Sequence, residues 1–136
     1  MKKYILDASV ILTFLLGKNQ TLGKKFIKIL KQTRAGQAKL YSTYLLPLEI
    51  GNGARYSLSD KDLASEVFLK FSRLPIQLSF FTTPQLLKIL QLSYLYNTSF
   101  YDSSYHFWAK FLKGVFLTSD REYFQKAKKL GQIELL

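Results

Sequence analysis

Hydrophobic positions along the chain fall into two kinds of segment, short apolar runs and longer stretches with helical spacing. The short runs, rich in strand-forming residues, predict strands over 3–6, 40–43, 76–81 and 115–118, with a possible edge strand over 133–135. Apolar residues at helical spacing predict helices over 8–16, 21–34, 45–56, 84–96, 100–113 and 121–130. A further helix is predicted after Ser59, with Ser59 as its N-cap and Asp62 three residues later. Gly114 and Gly131 are expected to end the two last helices.

This alternation of strands and helices predicts βαβ units, in which helices cover both faces of a parallel sheet. The expected fold class is therefore α/β, a three-layer α/β/α sandwich with a central, mostly parallel sheet. The 136 residues contain no internal repeat, low-complexity tract or linker. Residues 1–136 are accordingly expected to form a single domain.

The first twenty residues, MKKYILDASVILTFLLGKNQ, superficially resemble a signal peptide, with two lysines before an apolar stretch. Asp7 interrupts that stretch early, and no cleavage pattern of small residues follows it. We therefore expect a buried strand and the start of a helix here. Lys or Arg interrupts every apolar run before it reaches the length of a membrane span, so no membrane association is expected.

Composition limits the chemistry that the chain can perform. There is no cysteine, which excludes disulfides, thiolate zinc sites and cysteine nucleophiles. His106 is the single histidine, so a histidine-built zinc site is not expected either. Any metal must be held by oxygen atoms, which favours magnesium, manganese or calcium.

The formal net charge is +11, with 20 Lys and Arg against 9 Asp and Glu. This excess favours a polyanionic partner, either nucleic acid or a strongly acidic protein. No acidic residue occurs between Asp7 and Glu49, an interval rich in lysine. These lysines are interpreted either as a solvated helix face or as contacts to RNA phosphates, the candidates for contact being Lys18, Lys24, Lys25 and Lys28.

Four of the nine acids stand where a parallel sheet gathers its ligands, at the carboxyl ends of strands. Asp7 follows the first strand directly, and Asp120 stands two residues after the strand over 115–118. Glu49 lies in the helix after the second strand, and Asp102 lies at the start of the helix that leads into 115–118. We therefore expect Asp7, Glu49, Asp102 and Asp120 to converge on one rim of the sheet.

Carboxylates placed so close together raise one another's pKa and destabilise the fold unless a cation neutralises them. Hard oxygen ligands are those that Mg²⁺ or Mn²⁺ prefers, and such ions promote hydrolysis of phosphodiesters. A basic surface around an acidic pit suits this chemistry, because lysines bind the nucleic-acid backbone while the acids act on it.

The segments ILDASVIL, PLEIGNGAR, FYDSSYHFWAK and FLTSDREYF, in this order, resemble the motif series of PIN-domain ribonucleases. More narrowly, they resemble the VapC-type toxins of toxin–antitoxin pairs. The family's Asp after the first strand matches Asp7, and its Glu with an Asn three residues later matches Glu49 and Asn52. Ser103 and Trp108 depart from the usual third motif, which has Ala and Leu at these positions.

The resemblance implies a PIN-like fold and a Mg²⁺- or Mn²⁺-dependent, cytoplasmic endoribonuclease. Asp7, Glu49, Asp102 and Asp120 would be its catalytic residues and metal ligands, while Ser9 and Thr118 would position these carboxylates by hydrogen bonds. An RNA substrate, an acidic antitoxin partner and a homodimer are also implied. Two alternatives stay open: a housekeeping PIN nuclease in RNA maturation, and a non-catalytic PIN-like RNA-binding module.

Simpler interpretations compete at single positions. Asp7 and Asp102 could each be a helix cap, because Asp accepts hydrogen bonds from free N–H groups at a helix start. Capping and solvation account for Asp60, Asp62 and Glu66. Glu122 is interpreted as a charge in the first turn of the last helix, with contact to the site through water, beside Asp120, as the alternative. His106 is expected to be a partly buried helix residue, with contact to RNA as the alternative.

Overall fold

The computed structural model describes all 136 residues, which form five strands and seven α-helices. The strands are β1 (Lys2–Leu6), β2 (Ala38–Thr43), β3 (Ile76–Ser79), β4 (Val115–Thr118) and β5 (Ile133–Leu135). The helices are α1 (Ala8–Leu15), α2 (Gln20–Arg34), α3 (Leu45–Ser57), α4 (Lys61–Ser72), α5 (Thr83–Tyr96), α6 (Phe100–Leu112) and α7 (Arg121–Ala127). Each predicted element is present, with boundaries shifted by a few residues.

All five strands are parallel and lie in the order β3-β2-β1-β4-β5. The first strand is central, because Ile5 is in register with Tyr41 on one side and with Phe116 on the other. Strand order runs one way from β1 to β3 and the other way from β4 to β5. The order therefore reverses between β1 and β4, and in such sheets the crevice beyond this point is the ordinary place for a ligand.

Helices cover both faces of the sheet, which confirms the predicted three-layer α/β/α class. Successive side chains of a strand point to opposite faces, and β1 uses both of them for burial. Tyr4 and Leu6 belong to a hydrophobic core with side chains from α1 to α4. Ile5 belongs to a second core, formed with residues of α5, α6 and α7. Strand β1, which borders the point where the strand order reverses, is thus packed against helices on both faces of the sheet.

The helix after Ser59 begins one residue later than predicted. Asp60 is its N-cap, since its carboxylate accepts hydrogen bonds from the backbone N–H groups of Asp62 at 2.8 Å and Leu63 at 3.4 Å. The prediction of Ser59 as the cap is wrong. Asp is among the best N-cap residues, and here it satisfies two of the donors that a helix start leaves free.

Gly114 has a different role from the predicted helix stop. Helix α6 ends at Leu112, and Lys113 takes the left-handed conformation at its end (φ 57°). Gly114 is buried beside β1, where an added Cβ would lie 2.6 Å from the carbonyl oxygen of Lys3. Glycine is needed there because it lets β4 enter the sheet in close contact with β1.

The last predicted helix is shorter than expected. Helix α7 ends at Ala127 and a 3₁₀ turn, Lys128–Leu130, continues it to Gly131, whose φ is +80°. The predicted edge strand is confirmed as β5, parallel to β4. None of the helices has both the length and the apolar character required to cross a lipid bilayer.

Candidate functional site

Charge interactions relate the four predicted acids to one another at the carboxyl edge of the sheet. The charge of Asp102 raises the pKa of both Asp7 and Glu49, and its own pKa is raised by Asp120 and Glu122. Burial is the largest cause of all three upward shifts. Asp102 is therefore the acid whose charge interacts with each of the other three predicted acids.

Asp7, Ser9 and Thr118 form a closely hydrogen-bonded group, called here the Asp7 corner. Ser9 Oγ donates to Asp7 Oδ1 at 2.5 Å, and Thr118 Oγ1 donates to Asp7 Oδ2 at 2.6 Å. The backbone N–H of Val10 also donates to Oδ1, at 3.2 Å, so that Asp7 is the N-cap of α1. Only 5% of Asp7 is exposed, and burial raises the pKa of its carboxyl to about 6. The cap interpretation of Asp7 is thus correct, although the cap is buried and not solvated.

The Asp7 corner also holds the chain that leads to Asp120. The backbone N–H of Ser119 donates to Ser9 Oγ at 3.1 Å, and that of Asp120 donates to Thr118 Oγ1 at 3.1 Å. Asp120 then caps α7, because its Oδ1 accepts from the N–H of Tyr123 at 3.0 Å. The two hydroxyls of the corner therefore connect the ends of β1 and β4.

Glu49 lies in α3, half-buried beside the hydroxyl of Tyr105. Burial and the charges of Asp102 and Asp7 raise the pKa of Glu49 to about 7. The Tyr105 hydroxyl is buried close to Glu49 and Thr43, yet it forms no hydrogen bond of acceptable geometry. A buried polar atom without a partner is uncommon in proteins, and this one lies next to the acids.

A polar cleft of about 220 Å³, called here the acidic cleft, opens between the start of α6 and α7. Three carboxylates line it, those of Asp102, Asp120 and Glu122. Glu122, predicted to be an ordinary first-turn charge, is therefore part of the cleft. Lys126 is the single cation of the lining, and its Nζ lies 3.3 Å from Glu122 Oε1 in the one ion pair of the molecule.

Asp102 is not the cap of α6. Ser99 takes that role, since its Oγ accepts a hydrogen bond at 3.0 Å from the backbone N–H of Asp102 itself. The cap interpretation of Asp102 is wrong, because the serine three residues earlier fills the position. The Asp102 carboxylate therefore caps no helix and lines the cleft, where the Ser99 side chain and the positive end of the helix dipole favour its charge.

His106 is completely buried, which excludes the suggested contact with RNA. Its Nε2 donates to the carbonyl of Gly131 at 2.6 Å, and its Nδ1 accepts from the Tyr123 hydroxyl at 2.8 Å. Burial lowers the pKa of the imidazole. His106 thereby fixes Tyr123, a residue of the cleft wall whose N–H contacts Asp120.

The lysines predicted to contact RNA form no ion pair with the acids. All four are exposed, just before α2 or in its first nine residues, and none forms an ion pair with a carboxylate: Lys18, Lys24, Lys25 and Lys28. Lys126, which was not among the predicted contacts, is the one cation that lines the acidic cleft. The sequence could have indicated this lysine, because Lys126 stands four residues after Glu122 and residues at this spacing lie on the same face of a helix.

The donor atoms suit a hard divalent cation. Every candidate ligand is a carboxylate oxygen, and no basic side chain neutralises Asp7, Glu49 or Asp102. In the positions the side chains occupy, however, no three of the molecule's carboxylates and imidazole lie close enough together to hold a metal ion. The group therefore fits a cation by chemistry and charge, without having the geometry of an assembled metal centre.

Solved structures share this fold over nearly the whole chain. The chain matches VapBC2 from Rickettsia felis bound to a promoter DNA fragment with a TM-score of 0.70 and 13% identity, covering 98% of this chain and 97% of that one. It matches DNA-bound VapBC from Salmonella typhimurium with a TM-score of 0.69 and 16% identity, covering 100% and 98%. It matches VapBC-1 from nontypeable Haemophilus influenzae with a TM-score of 0.65 and 15% identity, covering 98% and 97%.

The matches confirm that the fold is the PIN-like fold of VapC-type chains, as the motifs implied. No protein-family model and no curated protein matches the sequence. At these identities the shared property is the fold, whose hosts can differ in function. The chemistry of the chain therefore has to be argued from its own side chains.

Proposed function

We propose that the chain is a metal-dependent endoribonuclease that hydrolyses RNA phosphodiesters in the cytoplasm, and that it is the toxin of a toxin–antitoxin pair. One observation carries the proposal. Asp7, Glu49 and Asp102 lie together where the strand order reverses, with raised pKa values and no basic partner, in a chain of net charge +11. Such a group is costly for the fold and is expected only where a cation offsets it.

In this proposal Asp7, Glu49, Asp102 and Asp120 would hold Mg²⁺ or Mn²⁺. The bound cation would activate water and neutralise the charge that develops on the phosphate. Ser9 and Thr118 fix Asp7 in one orientation, since they donate to different oxygens of its carboxylate. Ser99 caps α6 in place of Asp102, whose carboxylate lines the acidic cleft instead.

An acidic antitoxin is the proposed partner. The matched structures are VapBC complexes, and a chain of net charge +11 attracts an acidic protein segment. A homodimer is proposed as well. Its support is a row of exposed apolar side chains on α5, which would lose contact with water at a subunit interface: Leu87, Leu90, Tyr94 and Leu95.

The test is cleavage of single-stranded RNA by the wild-type chain and by Asp102→Asn, with Mg²⁺, with Mn²⁺ and with EDTA. We expect cleavage with either metal, none with EDTA, and severe loss in the variant. Asp60→Asn is the matched control, because Asp60 is an exposed cap outside the site. Cleavage that survives EDTA, or that Asp102→Asn leaves intact, would overturn the proposal.

A further inference from the structure

A mostly hydrophobic depression of about 420 Å³ lies beside the acids, at the carboxyl ends of β2 and β3. We call it the aromatic slot and define it by Tyr44, Leu48, Phe80, Phe81 and Tyr101. Tyr44 follows β2 and Phe80 follows β3, while Tyr101 lies in the first turn of α6. The aromatic slot is therefore on the same edge of the sheet as the four predicted acids.

Flat aromatic faces are exposed in the aromatic slot. The rings of Tyr44 and Phe80 stack with their centroids 3.4 Å apart and their planes 12° apart, although 46% of Tyr44 and 73% of Phe80 are exposed. Tyr101, also in the lining, is 57% exposed. Aromatic side chains usually lose contact with water in the core, so such a group at the surface marks a binding surface.

The aromatic slot is continuous with the acidic site. A neighbouring depression is lined by Glu49 and Asn52 and shares three wall residues with the aromatic slot: Leu45, Leu48 and Tyr101. Tyr101 also directly precedes Asp102 in the chain. A ligand that enters the aromatic slot is thus led along one wall to Glu49.

Buried polar groups form the wall between the aromatic slot and the acids. The Tyr105 hydroxyl is fully buried there, with Thr43 of the slot lining and Glu49 as its neighbours. A ligand in the aromatic slot therefore meets mostly exposed aromatic faces, which suit a flat heteroaromatic ligand.

We propose that the aromatic slot binds an unpaired nucleobase of the RNA strand whose phosphodiester lies at the acids. The inference rests on the proposed function and specifies its substrate, which must be single-stranded because a paired base could not enter. Stacking accepts any base, since each base has a flat face. The +11 charge attracts the backbone, while the aromatic slot fixes its position relative to Asp102.

The first measurement is the affinity of a labelled single-stranded RNA in EDTA, where no cleavage occurs. We expect Phe80→Leu and Tyr44→Leu each to weaken binding roughly tenfold, because one base loses its stacking partner. Tyr56→Leu is the matched control, since Tyr56 is 80% exposed on α3 and lines neither depression. The control should bind as the wild type does.

The second measurement replaces the RNA by an oligonucleotide of equal length without bases. We expect the wild type to bind it more weakly than RNA, and both slot variants to bind it as the wild type does. The slope of affinity against salt should be equal in all variants, because stacking releases no counterions. If the slot variants lose affinity for RNA and for the oligonucleotide without bases to the same extent, the inference fails. It also fails if the slot variants bind RNA as tightly as the wild type does.

The outcome separates this inference from the proposed function. If RNA is bound through its bases but not cleaved with Mg²⁺ or Mn²⁺, the aromatic slot stands and the nuclease proposal fails. If Phe80→Leu changes the molar mass in light scattering and leaves RNA affinity unchanged, the aromatic slot is a contact between two copies and the inference fails. Tyr101→Leu replaces Phe80→Leu if thermal melting shows that the latter does not fold.

Discussion

The Asp7 corner and the acidic cleft differ in how they treat carboxylates, although both lie at the same edge of the sheet. In the Asp7 corner the carboxylate is buried and both of its oxygens accept hydrogen bonds. In the acidic cleft, Asp102 is only half-buried, and Ser99 has taken over the helix cap that would otherwise occupy it. The Asp7 carboxylate is thus fixed by hydrogen bonds to both of its oxygens, whereas the Asp102 carboxylate lines an open cleft where a ligand can reach it.

The largest expected effect is on catalysis by the free carboxylate. Asp102→Asn should lower the rate of RNA cleavage between about a hundredfold and a thousandfold, because it removes charge from the centre of the acidic group. Thermal melting in EDTA should show no loss of stability, since the substitution also removes repulsion with Asp7, Glu49 and Asp120. A destabilised variant would mean that Asp102 is structural.

The pH dependence of stability tests the burial of the Asp7 carboxylate. In the unfolded chain the pKa of Asp7 is near its ordinary value of 3.8, and burial raises it to about 6 in the folded protein. Between these values the folded protein keeps a proton that the unfolded chain has released, so the stability falls as the pH rises. From pH 4 to pH 7 we expect a loss of about 2 kcal/mol from this group in EDTA.

Asp7→Asn provides the comparison for that measurement, by urea unfolding at each pH. The buried imidazole of His106 acts in the opposite sense, since its lowered pKa costs stability as the pH falls below 6.5. His106 is present in both proteins and cancels in their difference. If the difference in the free energy of unfolding between the two proteins stays the same from pH 4 to pH 7, burial does not raise the pKa of Asp7.

Thr118→Val should weaken the Asp7 corner specifically. It keeps the shape of the side chain but removes the donor to Asp7 Oδ2, and a lost partner of a buried acceptor costs about 1–3 kcal/mol. We expect RNA cleavage to fall about 10- to 100-fold, as when groups that orient ligands are removed. Thr118→Ser keeps the hydroxyl and should retain most of the activity; equal losses in both variants would speak against the hydrogen bond.

The smallest effect is expected for an acid outside both regions. Asp60→Ala removes the N-cap of α4 and should lower the free energy of unfolding by about 1 kcal/mol. The rate of RNA cleavage should not change, because Asp60 is exposed and interacts with none of the site acids. Loss of activity in this variant would place the functional surface elsewhere.

The order of elements and the positions of the acids were predictable from the sequence, because strand ends and parallel topology follow from local pattern. Asp7 and Asp120 directly follow strands, so the rule for parallel sheets was sufficient to place them. The residue that caps α6 was not predictable from the sequence. Ser99 and Asp102 are both good N-cap residues, and the choice between them depends on backbone conformation. The role of Glu122 in the cleft was only the less favoured interpretation, and Lys126 was not predicted, because charges on a helix surface are normally solvated.

The aromatic slot could not be predicted for a different reason. Tyr44, Phe80 and Tyr101 are far apart in the chain, and each belongs to a segment that otherwise supplies the core. Local spacing shows that such residues are apolar, but not which of them the packing leaves uncovered. That distinction arises only when the ends of β2, β3 and the start of α6 are brought together.

The hydrogen bond from Thr118 to Asp7 has a consequence for the time at which the protein becomes active. It joins residues 111 positions apart, because Asp7 follows β1 and Thr118 is the last residue of β4. These two strands can pair only after the chain between them has been made. During synthesis a growing chain therefore carries Asp7 and Glu49 without the partners that complete the site. A ribosome must therefore make about seven eighths of the 136 residues before Thr118 can donate to Asp7 and the proposed site can act on RNA.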